Sequence, residues 1–255
     1  MRVLLTNDDG FWSDGLKALD EVLSPVAEVW VVAPDREQSA ASHAISLARP
    51  LRMHEVAPRR YAVDGTPTDC VYLALNHLMK AAPPDVVFSG VNHGPNLAED
   101  VTYSGTVAGA VEGAILGAPF CAAFSLVGRG GPKRFEATAQ FAKALLEGAA
   151  ARPPARPVLL NVNVPVELRE PSFEVTRLGR RGYSASVTEK VDPRGRKYYW
   201  IGGPEQAHED IPGSDCVAVL DHHVISVTPL QLDWTSAGGL EALADWQLPG
   251  YGRSR

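Results

Sequence analysis

Only three cysteines stand in the 255 residues, Cys70, Cys121 and Cys216, with no CxxC pair and an odd count. A disulfide framework or a cysteine-rich metal centre is not built that way, and buried reduced thiols in a cytoplasmic protein are the expected state. No stretch approaches the roughly 20 unbroken apolar residues of a membrane span, so no membrane partner is expected. The first residues, one arginine and an apolar run that soon meets acid, read as a strand and not as a secretory leader. Positive charge is also scarce. Against 30 Asp and Glu there are 24 Lys and Arg, a net charge of −6, which argues against a nucleic-acid groove. An anionic substrate would need a local positive source, such as a bound cation or a helix N-terminus.

What is present is the composition of an ordinary globular protein, 45% hydrophobic and 21% charged, in a regular alternation. "RVLLT" is a continuous apolar strand of the kind buried on both faces of a parallel sheet. "SDGLKALDEVLSP" follows at helical spacing, with Leu16, Leu19, Val22 and Leu23 on one face, and "AEVWVVAP" is a second strand. The helix "PTDCVYLALNHLMK" carries its own start signal, Thr66 as cap, Pro67 at the first position and Asp69 three after the cap. Strands "DVVFSG", "FCAAFSL" and "PVLLNVNVP" then alternate with helices "TVAGAVEGAILG" and "FEATAQFAKALLEGA". The expected fold is α/β, a three-layer, Rossmann-like, doubly wound and mostly parallel sheet.

After about residue 165 the apolar runs give way to alternation. Around the turn "DPRG" the sequence reads as a projecting β-hairpin over about 172–203, followed by a strand over about 224–230 and an extended tail over about 231–255. The whole chain, 1–255, is expected to be one domain with its core in about 1–165 plus that last strand. Exposed hairpin arms and tryptophans in a chain end suggest docking onto a second subunit.

Ligands of open parallel sheets sit beyond the carboxyl ends of the strands. The first strand delivers Asn7, Asp8, Asp9 and Gly10 there; the second a polar loop with Ser39; the "DVVFSG" strand a loop with Asn92, Asn96, Ser104, Gly105 and Thr106. Apart from His43 and His93 these loops offer only oxygen ligands, which select Mg²⁺, Mn²⁺ or Ca²⁺ over Zn²⁺. A dication would also relieve the repulsion between Asp8 and Asp9. The plainer alternative is that one aspartate caps the next helix while the other is solvated. Ser104, Gly105 and Thr106 open a helix whose N–H groups suit a phosphate, whereas Gly109, Gly113 and Gly117 read as a close-packing face. A cation and an anion pocket on one rim suggest phosphoryl chemistry.

The ordered segments "LLTNDDG", "APDREQSA", "VDGTPTDCV", "SGVNHGPNLAEDVTYSGTVAGA" and "SVTPL" closely resemble the SurE family of metal-dependent nucleoside-monophosphate phosphatases. That resemblance implies one divalent cation per subunit, Mg²⁺ or Mn²⁺, on Asp8, Asp9, Ser39 and Asn92. It implies Asp8 and Asp9 as catalytic groups, and phosphate or substrate contacts from Asn96, Ser104, Gly105 and Thr106. It further implies hydrolysis of nucleoside 5′-monophosphates, with 3′-monophosphates and short polyphosphate as further candidates, in a homodimer or homotetramer that exchanges hairpin and tail. The segment "DHHVISVTPL" departs from the pattern, and His222 and His223 are read as structural. Two other classes compete. A receiver-like Mg²⁺-binding signalling module needs a phospho-accepting aspartate after its third strand, and none lies between Asp35 and Asp64. A dinucleotide-binding oxidoreductase needs a GxGxxG turn, which the first loop lacks.

Overall fold

The "RVLLT" run forms β1 (Arg2–Thr6), with Val3 to Thr6 fully buried, because parallel neighbours flank it on both edges and helices cover both faces. A computed structural model describes residues 1–128, 135–168, 170–183, 187–202 and 205–248 of the chain. Its main sheet has nine strands: β1; β2 (Glu28–Pro34); β3 (Met53–Ala57); β4 (Arg60–Val63); β5 (Val86–His93); β6 (Phe120–Val127); β7 (Val158–Pro165); β8 (Phe173–Val175); and β13 (Ile225–Pro229). Their order is β3-β4-β2-β1-β5-β6-β7-β13-β8. From β4 to β7 every pairing is parallel, while β3 and β13 run antiparallel to β4 and β7. The chain winds outward from β1 in one direction to β2, then in the other from β5. The switch point therefore lies between β1 and β5.

Two helices cover each face. On one, α1 (Asp14–Leu23) and α4 (Phe135–Ala151) bury Leu16, Leu19, Leu23, Phe135, Ala139, Ala142 and Leu146 against Phe88 and Phe124, which meet edge to face at 5.0 Å. On the other, α2 (Pro67–Leu73) and α3 (Gly105–Ile115) bury Cys70, Val71, Val107 and Ala110. The start of α2 is a capping box: Thr66 accepts from the Asp69 N–H while Asp69 accepts from the Thr66 N–H. Three layers and a mostly parallel sheet match the sequence reading, and all three cysteines are buried free thiols.

Some details differ. The edge strand β3 lies in a segment to which the sequence reading assigned no element; its last four residues are exposed, so it lacks the apolar signature of the inner strands. Of the glycine face, Gly109 and Gly113 pack closely, since a Cβ at either would lie 2.8 Å from a β5 side chain. Gly117 has nothing within 4 Å and a φ of +89°, so it serves the turn after α3 instead. The hairpin also shifts: 173–175 join the main sheet as β8, and the projecting arms run from β9 (Arg181–Tyr183) to β12 (Glu205–His208). Between them β10 (Val187–Val191) and β11 (Lys197–Ile201) pair around Asp192-Pro193-Arg194-Gly195. Residues 184–186 and 203–204 of that region, and 249–255 of the tail, lie outside the described residues. A short helix α5 (Ala237–Ala242) interrupts the tail.

Asp215 ties the late segments to the core. Fully buried, it accepts the Ala98 N–H on Oδ2 (2.9 Å), and the Gly179 and Cys216 N–H groups on Oδ1 (2.7 and 2.9 Å). Replacing one of these oxygens by an NH₂ group sets donor against donor. Asp215→Asn is expected to lower stability by about 2–3 kcal/mol in urea unfolding.

Candidate active site at the switch point

Beyond β1 the chain turns through Asn7, Asp8, Asp9 and Gly10. Asn7 is fully buried and shapes this loop, its Nδ2 donating to the Gly10 carbonyl (3.0 Å) and to Ser13 Oγ (2.7 Å). Ser13 in turn caps α1 by accepting from the Leu16 N–H. Neither aspartate caps the following helix, which removes the plainer reading of the pair.

Asp8 instead reaches across the switch point to α3. Its side chain accepts from the Thr106 hydroxyl and faces the backbone N–H groups of Gly105 and Thr106, at the positive end of the helix. Only glycine fits at 105, because a Cβ there would lie 2.8 Å from the Asp8 Cβ and 2.9 Å from Oδ2. Ser104 caps the same helix by accepting from the Val107 N–H (3.0 Å). Burial outweighs these donors, and the Asp8 pKa is raised. Asp9 lies further out, with Oδ2 accepting from the His93 N–H (3.2 Å). Burial pushes its carboxyl up to about 6, with the charge of Asp8 adding to the effect and His93 opposing it.

The second loop is joined to the first where the Gln38 N–H donates to the Asp8 carbonyl (2.7 Å). Ser39 follows, with its hydroxyl donating to Glu37 (2.7 Å). In the third loop, β5 changes register against β6 between Ser89 and Asn92, the kind of irregularity that re-aims a side chain at a strand end. Asn92 Nδ2 donates to the Gly94 carbonyl (3.0 Å), so its amide oxygen is the group left for a ligand. Asn96 is buried and held from three sides. Its Nδ2 donates to Ser125 Oγ (2.8 Å), its N–H to Asn163 Oδ1 (2.9 Å), and its carbonyl accepts from Asn161 and Asn163 (2.7 and 3.0 Å).

A cavity of about 800 Å³ opens here, lined by Asp8, Asp9, Ser39, Asn92, Asn96 and Ser104. Gly105 and Thr106 do not line it; they stand behind Asp8, with Thr106 fully buried. The sequence reading passed over the carboxylates of Asp14, Asp35, Glu37 and Asp100, the Arg36 guanidinium, and the rings of Phe11, Trp12 and Tyr103; it noted His93 only as a nitrogen ligand. All sit in the same three loops or at the start of α1, and position along the chain was the only available signal. Arg36 is engaged by Asp35 through two bonds, 2.7 and 3.0 Å. Asp100 is engaged in the same way by Arg181, so of the six carboxylates lining the cavity Asp8, Asp9, Asp14 and Glu37 have no guanidinium beside them among the described residues.

That charge balance tests the fit of a metal. Among the described residues no group of three His, Cys, Asp or Glu side chains is placed to hold one, so a soft or zinc-type donor set is not present there. Two carboxylates with neutral serine and asparagine oxygens suit a hard dication. The residues fit.

A doubly wound α/β protein with an acidic, oxygen-lined cleft at its switch point is the class that fold and site define. The sequence model described as "Survival protein SurE" matches residues 3–185. Similar proteins include a "5′-nucleotidase SurE" of Myxococcus xanthus (strain DK1622), 57% identical over 99% of this chain and 95% of that one. Another, of Anaeromyxobacter dehalogenans (strain 2CP-C), bears the same name and is 60% identical over 98% of both chains. Among solved structures, the SurE protein from Aquifex aeolicus superposes with a TM-score of 0.82 at 40% identity, covering 96% of this chain and 100% of that one. The chain belongs to the SurE family.

The raised Asp9 pKa has a measurable cost. In the folded chain Asp9 titrates near 6 against 3.8 when unfolded. Its contribution to stability is therefore full below about pH 4 and lost as pH rises through about 6. In EDTA, Asp9→Asn is expected to gain about 1–3 kcal/mol at pH 7 and nothing at pH 4, read as a pH-dependent rise in melting temperature.

Proposed function

We propose that this chain is a metal-dependent 5′-nucleotidase that hydrolyses nucleoside 5′-monophosphates to nucleoside and phosphate. The observation that carries the reading is the excess of carboxylates in the cavity: Arg36 pairs with Asp35 and Arg181 with Asp100, while Asp8, Asp9, Asp14 and Glu37 have no such partner among the described residues. A phosphate dianion cannot settle among them unaided, and a divalent cation supplies the missing positive charge. The printed names of the relatives, "5′-nucleotidase SurE", support the substrate class.

Asp8, Asp9, Ser39 and Asn92 would hold one cation, Mg²⁺ or Mn²⁺. When bound, such an ion polarises a phosphoryl oxygen and lowers the pKa of a water. Asp8 and Asp9 are the catalytic carboxylates. Asp9 orients the attacking water and takes its proton at Oδ1, since Oδ2 is held by the His93 N–H. Asn96 and the Ser104 hydroxyl face the cavity and bind phosphoryl oxygens. Gly105 and Thr106 act one step back, holding Asp8 in place. The receiver and oxidoreductase alternatives have no support from these relatives.

Assembly is part of the proposal. On β10 and β11, Val187, Val191, Tyr198, Tyr199, Trp200 and Ile201 are exposed, as are Trp234 and Trp246 in the tail. So much uncovered apolar surface supports a homodimer or homotetramer in which a second copy covers hairpin and tail. Among the described residues no helix is long and apolar enough to cross a membrane.

Two experiments test the chemistry. EDTA should abolish phosphate release from a panel of 5′- and 3′-monophosphates and short polyphosphate, and Mn²⁺ or Mg²⁺ should restore it. Asp8→Asn and Asp9→Asn should each lower kcat/KM by roughly 10²-fold or more with an intact circular dichroism spectrum. Full activity in either variant would refute the assignment. Separately, Asn163→Ala removes two of the three hydrogen bonds on the Asn96 backbone and leaves the one from Asn161 to its carbonyl. It should lower kcat about 10- to 100-fold, with KM changed less than kcat.

A further inference from the structure

The cavity changes character with depth. Asp8 on its floor is 4% exposed, whereas Trp12 and Tyr103, which line it from two different loops, are 74% and 66% exposed. A phosphate monoester group occupies a small part of about 800 Å³, so the remainder must accommodate the group attached to it.

Trp12 is held at its base and bare beyond it. Phe11 meets the indole edge to face, with centroids 4.9 Å apart and planes at 79°, and the Phe11 N–H donates to the Pro34 carbonyl (2.7 Å). The next residue, Ser13, is locked as the cap of α1. An indole anchored in this way loses little side-chain freedom when a flat ring settles on its face. Asp9, Asp14 and Glu37, which line the same cavity, repel a second anion. The carboxylates disfavour an anionic leaving group, and the bare indole face suits a flat one.

We propose that Trp12 is the stacking platform for the nucleobase, and so the residue that makes this site prefer nucleotides to base-free sugar phosphates. The inference rests on the reaction proposed above. Stacking uses the π-face that every base presents, so it ranks substrates by ring area and does not read base identity. Purine monophosphates are favoured over pyrimidine ones, and both over ribose 5-phosphate.

The experiment compares kcat/KM for 5′-GMP, 5′-UMP and ribose 5-phosphate, with Mn²⁺ present, in the native protein, Trp12→Ala and Trp12→Phe. Calorimetric binding of 5′-GMP is measured in parallel. In Trp12→Ala the ratio of kcat/KM for 5′-GMP over ribose 5-phosphate should fall about 5- to 150-fold, the range that loss of one base–aromatic stack produces. The change should lie in KM, with the smaller drop for 5′-UMP, and Trp12→Phe should restore most of it. An unaltered ratio overturns the proposal, whether the individual rates hold or fall together. The two readings fail separately. A native protein that binds 5′-GMP through Trp12 without hydrolysing it would refute the reaction and keep the platform. Nucleotide turnover with an unaltered ratio would do the reverse.

Discussion

Asp8 presses its carboxylate onto the first turn of α3, where the Thr106 hydroxyl and two backbone N–H groups meet it. The contact joins the end of β1 to the helix that follows β5, the two sides of the switch point. It exists because residue 105 is glycine; any side chain there would hold the acid away. With the helix end committed to Asp8, burial of its adjacent partner is opposed by His93, through its charge and its backbone N–H, and the Asp9 pKa still rises. The folded chain thus holds two carboxylates in a place where they resist ionising. Such concentrated unfavourable charge is characteristic of a functional site and is stabilised by the rest of the domain.

That support comes from ordinary packing. Apolar layers on both faces of the sheet fix β1, β2 and β5 side by side, so three loops converge on one rim. Polar side chains then set the fine positions. Asn7 folds the first loop onto the α1 cap, while the register shift in β5 turns Asn92. Behind them, β7 contributes Asn161 and Asn163, a buried pair that grips Asn96 from the neighbouring strand but one.

The architecture was legible because its inner strands are continuous apolar runs and its helices carry period and caps, as at Thr66. The edge strand β3 was not, since one neighbour and an exposed face leave no apolar pattern to read. Loop membership likewise pointed to Asp8, Asp9, Ser39, Asn92 and Asn96, which all line one cavity. Side-chain direction was hidden. Thr106 and Gly105 turn toward Asp8 and not toward the opening, and nothing in "YSGT" distinguishes those outcomes. The role of Asn163 was equally invisible, because it depends on a partner 67 residues away.

The long loop between β2 and β3, which carries Ser39, is stitched down at several points. His43 Nε2 meets Glu112 of α3 at 2.7 Å; the Ser42 hydroxyl donates to the Thr102 carbonyl; the Ser46 N–H donates to Asp69; and Thr66 donates to the Ala44 carbonyl. Loops of this length ordinarily surrender their conformational freedom when a ligand arrives, and affinity suffers by that amount. Here the surrender happens during folding, so the loop beside the cavity is already ordered and encounter need not wait for that part of the chain to rearrange.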